Sequence, residues 1–346
     1  MRSSSSRMES SSGMNRATHL SHLSHEDRRG HPRAPLRNLN PQLRSPAEGI
    51  VMQNGNLFAV LGATGKVGGA AIRELTRRGC AVRAILRDAA KVERLKRDGS
   101  EVALADVRDG ASLTKALAGA SHVLAICPMN PKADSAFTEH ENLAETIVSA
   151  LASAKPTNVV AISDYGAQHE MGTGVTLIFH RFEQSLRSLP ANVTIARSAE
   201  HMQNWGRYLR NAATNGVLPM MYQPVDRPVP FVSALDVGVI AAGILADSPV
   251  AGLRVVHVEG PRRYSIGDVT EIVQTSLRRA VTAQEVVGER RFQLLTAAGI
   301  SESYARLVTG MWDAHNAGRI EIEPGTDVHR GSTPFETVVA EQLARL

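Results

Sequence analysis

The sequence holds only two cysteines, Cys80 and Cys127, among 346 residues. That is too few for a disulfide framework, and neither has a metal-type spacing, so a reducing, cytoplasmic setting is the expectation. Long apolar runs are also missing. The longest, VGVIAAGILA at residues 237–246, is too short to span a bilayer, and no membrane partner is expected. Strong charge is missing from most of the chain. The formal net charge is +5, but residues 1–51 carry eight Arg against four Asp or Glu, a net +4 that leaves +1 for the remainder. With no helix-turn-helix pattern, basic stripe or zinc spacing, direct nucleic-acid binding is not expected. The twelve His are scattered without a Cys or acidic set around them, so no metal site is expected. No repeat at solenoid spacing is visible.

Residues 1–50 contain ten Ser, four His and four Pro and few large apolar side chains. Such a stretch buries too little surface to offset the entropy of ordering, so residues 1–53 are expected to be a disordered tail. Three readings of it stay open: a Ser- and Arg-rich transit peptide without a clear amphipathic helix, a regulatory arm, or a segment upstream of a true start at Met52. The last is favoured, because MQNGNLFAVLG opens compactly on the first apolar strand. Residues 54–346 form the expected folded body.

From residue 57 short apolar runs alternate with helical stretches. NLFAVLG, AVRAILR, SEVALADV, SHVLAICP and NVVAIS read as strands. Between them GGAAIRELTRRG, AAKVERLKRDG, GASLTKALAG and SAFTEHENLAETIVSALASA read as helices. In the first of these Ala70, Ala71, Ile72 and Leu75 face the packing side and Gly79 is the stop. Strands alternating with helices imply right-handed crossovers and an α/β, doubly wound parallel sheet of Rossmann type.

Gly62-Ala63-Thr64-Gly65-Lys66-Val67-Gly68 stands between the first strand and the first helix. Gly62 lets the chain turn off the strand, Gly65 lets backbone approach a pyrophosphate, and Gly68 lets the helix pack close to the sheet. The helix N-terminus would hold the phosphates. The second strand ends at Arg87, where a guanidinium can pair with the 2′-phosphate of NADP, and Lys66 could add to that charge. Asp88 follows at once and leaves NAD open. Asp106 and Val107 end the third strand, where a carboxylate could meet the adenine amino group or merely open a helix. Ile126, Cys127 and Pro128 end the fourth, beside the expected path of ribose and nicotinamide.

At this point the chain resembles the atypical short-chain dehydrogenases. The string GTGV…HRFEQSLR…AR…HMQNW narrows the resemblance to the NmrA-like family, over residues 57 to about 340. That family includes NAD(P)H:quinone oxidoreductases, azoreductase-like proteins and NADP-sensing regulators. The resemblance implies a Rossmann domain with a smaller C-terminal part, mostly within residues 197–346, capping the nicotinamide. It implies dinucleotide contacts at Gly62, Thr64, Gly65, Lys66, Val67, Gly68 and Arg87, and a substrate-facing segment with His201, Asn204 and Trp205.

Short-chain dehydrogenases reduce carbonyls with a Ser, a Tyr and a Lys four residues after the Tyr. Ser163 fits the first place, but Thr176 and His180 stand thirteen and seventeen residues on, and no YxxxK occurs in this region. Where some relatives carry a lysine four residues before the helix glutamate, here Glu183, this chain has Phe179. An alcohol or ketone substrate needs general acid–base help that a quinone largely does without. The expected reaction is therefore hydride transfer to an aromatic acceptor such as a quinone, with Phe179 in the pocket. Tyr165 or His180 could supply a late proton, although packing and surface roles suit them too. The alternative is a non-enzymatic NADP(H) sensor acting through a protein partner.

In the C-terminal part Asp236 is expected near a helix start and Ser265 at another N-cap. A helix over SESYARLVTGMWDAHNAG is expected to place Leu307, Met311 and Trp312 on one side. It leaves open a lid, plain core or a subunit contact, and with the last a homodimer.

Overall fold

The computed structural model describes residues 55–346 except Asp98. The expectations for residues 1–53, including a start at Met52, lie outside the described residues. The first half alternates as its apolar periodicity requires. It runs β1 (Leu57–Val60), α1 (Lys66–Arg77), β2 (Ala81–Leu86), α2 (Val92–Arg97), β3 (Glu101–Leu104), α3 (Gly110–Leu117), β4 (His122–Ala125), α4 (Ala136–Ala154), β5 (Asn158–Asp164), α5 (Thr176–Leu186) and β6 (Asn192–Ser198). The second half is β7 (Glu200–His201), α6 (Gly206–Asn215), β8 (Val217–Met220), β9 (Phe231–Val232), α7 (Ala234–Ala246), β10 (Leu253–Glu259), α8 (Ile266–Leu277), β11 (Thr282–Glu285), α9 (Glu289–Ala297), α10 (Glu302–Asn316), β12 (Asp327–Arg330) and α11 (Phe335–Leu343).

Eight parallel strands form the main sheet in the order β12-β10-β6-β5-β4-β1-β2-β3. The chain enters at β1, winds out to β3, then crosses back to β4 and winds out the other way. The crossovers leaving β1 and β4 therefore diverge, which opens a crevice above their C-terminal ends. Alternate residues of each strand serve opposite layers. Phe58 and Val60 pack with Ile72 and Leu75 of α1 and with α7, while Ala59 and Leu61 pack with Leu113 of α3 and Ile147 of α4. Among the described residues no helix is long and apolar enough to cross a membrane.

Helices α1 and α7 approach unusually closely at Gly238. A Cβ there would fall 2.3 Å from the Val67 carbonyl oxygen and 2.7 Å from the Ala70 Cβ.

Past residue 197 the chain serves two purposes. Helix α7 packs on α1, and β10 and β12 extend the main sheet. The rest builds a third core, in which Trp205, Phe231, Trp312 and Phe335 meet Tyr264 and the apolar sides of α6, α8 and α11. Ser265 caps α8 in a reciprocal capping box with Asp268. Helix α10 buries Ala305, Val308 and Trp312, with Leu307 and Met311 half-buried, and the Leu307 carbonyl accepts the Val175 amide at 2.8 Å. Asp236 lies in the first turn of α7, as expected. The N-cap of α7 is Ser233, and Asp236 accepts from the Thr333 amide and hydroxyl, both at 2.8 Å, tying the C-terminal segment to α7.

Candidate functional site

A crevice of about 470 Å³ lies above the C-terminal ends of β1 to β4. Gly62, Thr64, Arg87, Asp106, Val107 and Pro128 all line it. Gly62 adopts φ 67°, which turns the chain sharply off β1. Gly68 then passes so close that a Cβ would sit 2.4 Å from the Gly62 carbonyl oxygen. Turn and helix thus touch backbone to backbone. Gly65 and Lys66 are exposed at this turn, while Val67 and Gly68 are buried beneath it.

The N-terminus of α1 has no acceptor of its own. Its N-cap is Gly65, without a capping side chain, and its first turn carries no acidic residue. By contrast α3, α8 and α10 are capped by Asp109, Ser265 and Ser301. The first-turn amides of α1, at the positive end of the helix dipole, suit an anion.

Arg87 and Lys91 bring positive charge to the crevice wall beside β2. Asp88, the acid that left NAD open, also lines the crevice but is engaged within its own loop. It caps a single 3₁₀ turn by accepting from the Ala90 amide at 3.0 Å and pairs with Lys91 at 3.5 Å. Among the described residues Arg87 forms no ion pair. Asp106 accepts from the Arg108 amide (3.0 Å) and side chain (3.2 Å), and this amide bond, more than any other effect, holds its carboxyl below the usual range. Cys127 does not line the crevice. It points away between Ile126 and Pro128, into the layer under α4, where burial pushes its thiol up to about 12.

The three candidate catalytic side chains are all engaged inside the fold. Ser163 donates to Glu183 at 2.5 Å, and Glu183 is held by Arg197 through two bonds of 2.9 and 2.7 Å. Arg197 also reaches Glu323, so the buried pair between α5 and β6 extends to a partly exposed carboxylate. Tyr165 donates to Glu259 at 2.8 Å and stands edge-on to His257, with burial raising its phenol well above the ordinary range. His180 donates from Nδ1 to the Ala167 carbonyl at 2.8 Å and is buried.

The substrate-side candidates diverge. Trp205 faces the C-terminal core rather than the crevice, its ring edge-to-face with Phe231 (5.6 Å), Phe335 (5.8 Å) and Tyr208 (5.9 Å). Asn204 is exposed. His201 sits 3.2 Å from the Ser198 hydroxyl, and burial, with Lys66 nearby, depresses its imidazole to about 4. Phe179 is half-buried against His140, ring centroids 5.6 Å apart.

Other polar residues in and around the site differ in how visible they are in the sequence. Lys91 could have been found by following the basic residues past Arg87. Asp164, next to Ser163 at the end of β5, was equally open to notice. Burial above all, then the Glu200 and Glu183 carboxylates, push its carboxyl up to about 8, against a lowering bond from the Tyr165 amide. Glu200 is raised by burial and bonded by the Tyr222 hydroxyl. His140 and Tyr304 meet beside the crevice. Nothing in their local patterns distinguishes them from ordinary helix positions.

The model of the NmrA-like family matches residues 55–331. The 40 kDa subunit of mitochondrial NADH-ubiquinone oxidoreductase from Neurospora crassa is 26% identical over 235 residues, covering 64% of this chain and 60% of that subunit. The chain therefore spans less than two thirds of that relative's length. NAD(P)H azoreductase of Xenophilus azovorans is 24% identical over 250 residues, 72% of this chain and 84% of the azoreductase. The structure of NADPH-dependent quinone oxidoreductase from Escherichia coli, complexed with NADPH, superposes with a TM-score of 0.70 at 20% identity, covering 83% of this chain and 99% of that one. At that identity the superposition speaks for the fold.

Proposed function

This chain belongs to the NmrA-like family, and on that premise we propose that it is an NADPH-dependent reductase of quinone-like aromatic acceptors. Its coarser form, an NAD(P)H-binding oxidoreductase, fits the family and the names of both curated relatives. The observation that carries the cofactor choice is the charge at the end of β2. Arg87 is without an ion partner among the described residues, Lys91 stands beside it, and Asp88, although it lines the same crevice, is engaged by the Ala90 amide and Lys91. The residues fit the dinucleotide. The uncapped α1 amides suit its pyrophosphate, and the backbone contact at Gly68 shapes the turn that receives it.

When bound, the reduced nicotinamide supplies the hydride. The chain's own residues bind and orient. Arg87 and Lys91 would neutralise the 2′-phosphate, and Pro128 and Ile126, which line the crevice, would wall the nicotinamide side. The engagement of Ser163, Tyr165 and His180 within the fold supports an acceptor that needs no protein acid on the reacting carbon. The same engagement is the observation that favours the second reading, an NADP(H) sensor acting through a protein partner.

NADPH and NADH oxidation with a panel of simple quinones decides between them. The expected result is turnover with NADPH preferred. Arg87→Ser should lower kcat/KM for NADPH by about 10- to 100-fold, the worth of charge-assisted bonds to one phosphate, and leave NADH little changed. Tight NADPH binding without turnover on any quinone overturns the reductase and leaves the sensor.

A further inference from the structure

We infer that the imidazole of His140 is the anchor for a carbonyl oxygen of the reducible substrate, a site that rests on the reductase reading above. His140 lies on α4 and is 3% exposed. Neither its Nδ1 nor its Nε2 has a hydrogen-bond partner in the fold. Buried polar groups are almost always paired, because an unmade bond leaves the desolvation cost of the group uncompensated. Other buried groups share this state, the Thr173 hydroxyl and the Trp205 indole N–H among them, but His140 also walls a cavity beside the crevice.

The surroundings say what partner suits it. His140 walls a small cavity with Pro128, Met129, Asn130, Ala136, Tyr304 and Glu139, whose carboxylate is taken up by the Asn130 side-chain amide at 3.0 and 3.2 Å; Pro128, Met129, Asn130 and Glu139 also wall the main crevice. The cavity measures about 10 Å³, room for a single non-hydrogen atom. It is a continuation of the crevice that takes one atom of a ligand, not a ring.

With the Asn130 amide spent on Glu139, two groups in its wall carry free hydrogen-bond donors. Burial depresses the His140 imidazole to about 4, so the ring is neutral and offers one N–H and one lone pair. Burial raises the Tyr304 phenol to about 12, so it keeps its proton. A neutral imidazole and a phenol converge well on an acceptor oxygen and poorly on a cation. The oxygen of a quinone gains negative charge as the ring accepts hydride, and both bonds strengthen at that moment. The electrons and one hydrogen come from the reduced nicotinamide, the second proton comes from solvent, and His140 and Tyr304 return unchanged.

The cavity is also pre-formed. The His140 ring is held by Phe179 (5.6 Å) and edge-on by Phe182 (6.5 Å). The Ser303 hydroxyl accepts from the Ala136 amide at 3.0 Å, and the Ser301 amide donates to the Pro131 carbonyl at 2.9 Å. These two bonds fix the start of α10, with Tyr304, against the start of α4. The nicotinamide carboxamide has an oxygen of the same chemistry, so the experiment must separate it from the acceptor.

The test measures menadione binding to the NADP+-saturated full chain, and NADP+ binding separately, for wild type, His140→Phe, His140→Gln and Tyr304→Phe. Expected are a menadione Kd about 3- to 10-fold higher for His140→Phe and recovery toward wild type in His140→Gln. Tyr304→Phe should lose about 3-fold, and NADP+ Kd should move less than about 2-fold throughout. The melting temperature of ligand-free His140→Phe should hold or rise, since the substitution removes an unpartnered polar group; a merely structural histidine would lower it. An unchanged menadione Kd in both His140→Phe and Tyr304→Phe overturns the inference. So does a wild type that binds no menadione, and a loss confined to NADP+ reassigns the oxygen to the carboxamide. Turnover on the same preparations separates the two readings. Binding that depends on His140 without NADPH oxidation keeps this site and overturns the reductase, whereas turnover indifferent to both substitutions does the reverse.

Discussion

Asp164 ends β5 half-buried, near the Glu200 and Glu183 carboxylates, and its carboxyl is pushed up to about 8, first by burial. In the unfolded chain the same group titrates near roughly 3.9. The folded protein therefore holds this proton more tightly than the unfolded one. The stability it contributes is fully present below the unfolded value and is lost as pH rises toward about 8. Asp164→Asn should match wild type in acid and exceed it above neutrality, with the gap in melting temperature opening between about pH 4 and 8. Parallel melting curves across that range would sink the assignment. Asp164 is adjacent to Ser163 in sequence, but its raised carboxyl belongs to burial and to the carboxylates brought there by β7 and α5. Such a property is not a pattern in any local window.

At the scale of elements, the contact between α1 and α7 matters most to the site. The helix that presents its uncapped N-terminus to the crevice is braced along its length by α7, with Gly238 against the Val67 carbonyl. Gly238→Ala forces a Cβ into that backbone and must move one helix. The expected cost is about 1–3 kcal/mol, typical of overpacking, together with weaker NADP+ binding as the glycine turn shifts. Urea midpoints and a titration with NADP+ check both. Unchanged values in both would show that α7 does not position the turn. Helix α1 itself was legible beforehand, because Ala70, Ala71, Ile72 and Leu75 repeat at helical spacing and all are buried. That α7, distant in sequence, would be its partner was not, since periodicity names a buried face and not what covers it.

At the scale of the molecule, the C-terminal part is bound into the sheet three times, through α7, β10 and β12, while its remaining elements form the third core. Met311 packs against both that core and the layer under α1. A single calorimetric transition is therefore expected for the described body, rather than separate melting of sheet and cap. NADP+ at about a hundred times its Kd should add about 2.7 kcal/mol, which raises the transition by several degrees. Two transitions, only one of them moved by NADP+, would mean that the cap unfolds on its own.

The alternation of strands and helices, the sheet class and the glycine turn were all fixed by the sequence alone. Each rests on residues within one turn or one strand of one another: apolar spacing of two or of three to four, and a glycine run directly behind β1. Long-range pairing decided the rest. Ser163 found Glu183, Tyr165 found Glu259, Trp205 turned to Phe231 and Phe335, and Cys127 took the core side of its strand end. Residue type says that a serine, a tyrosine or a histidine can exchange a proton or hold a ligand. Whether its polar atoms are already bonded, as in Ser163, or left bare, as in His140, is set only when distant segments pack, because that is when water is removed and partners are chosen.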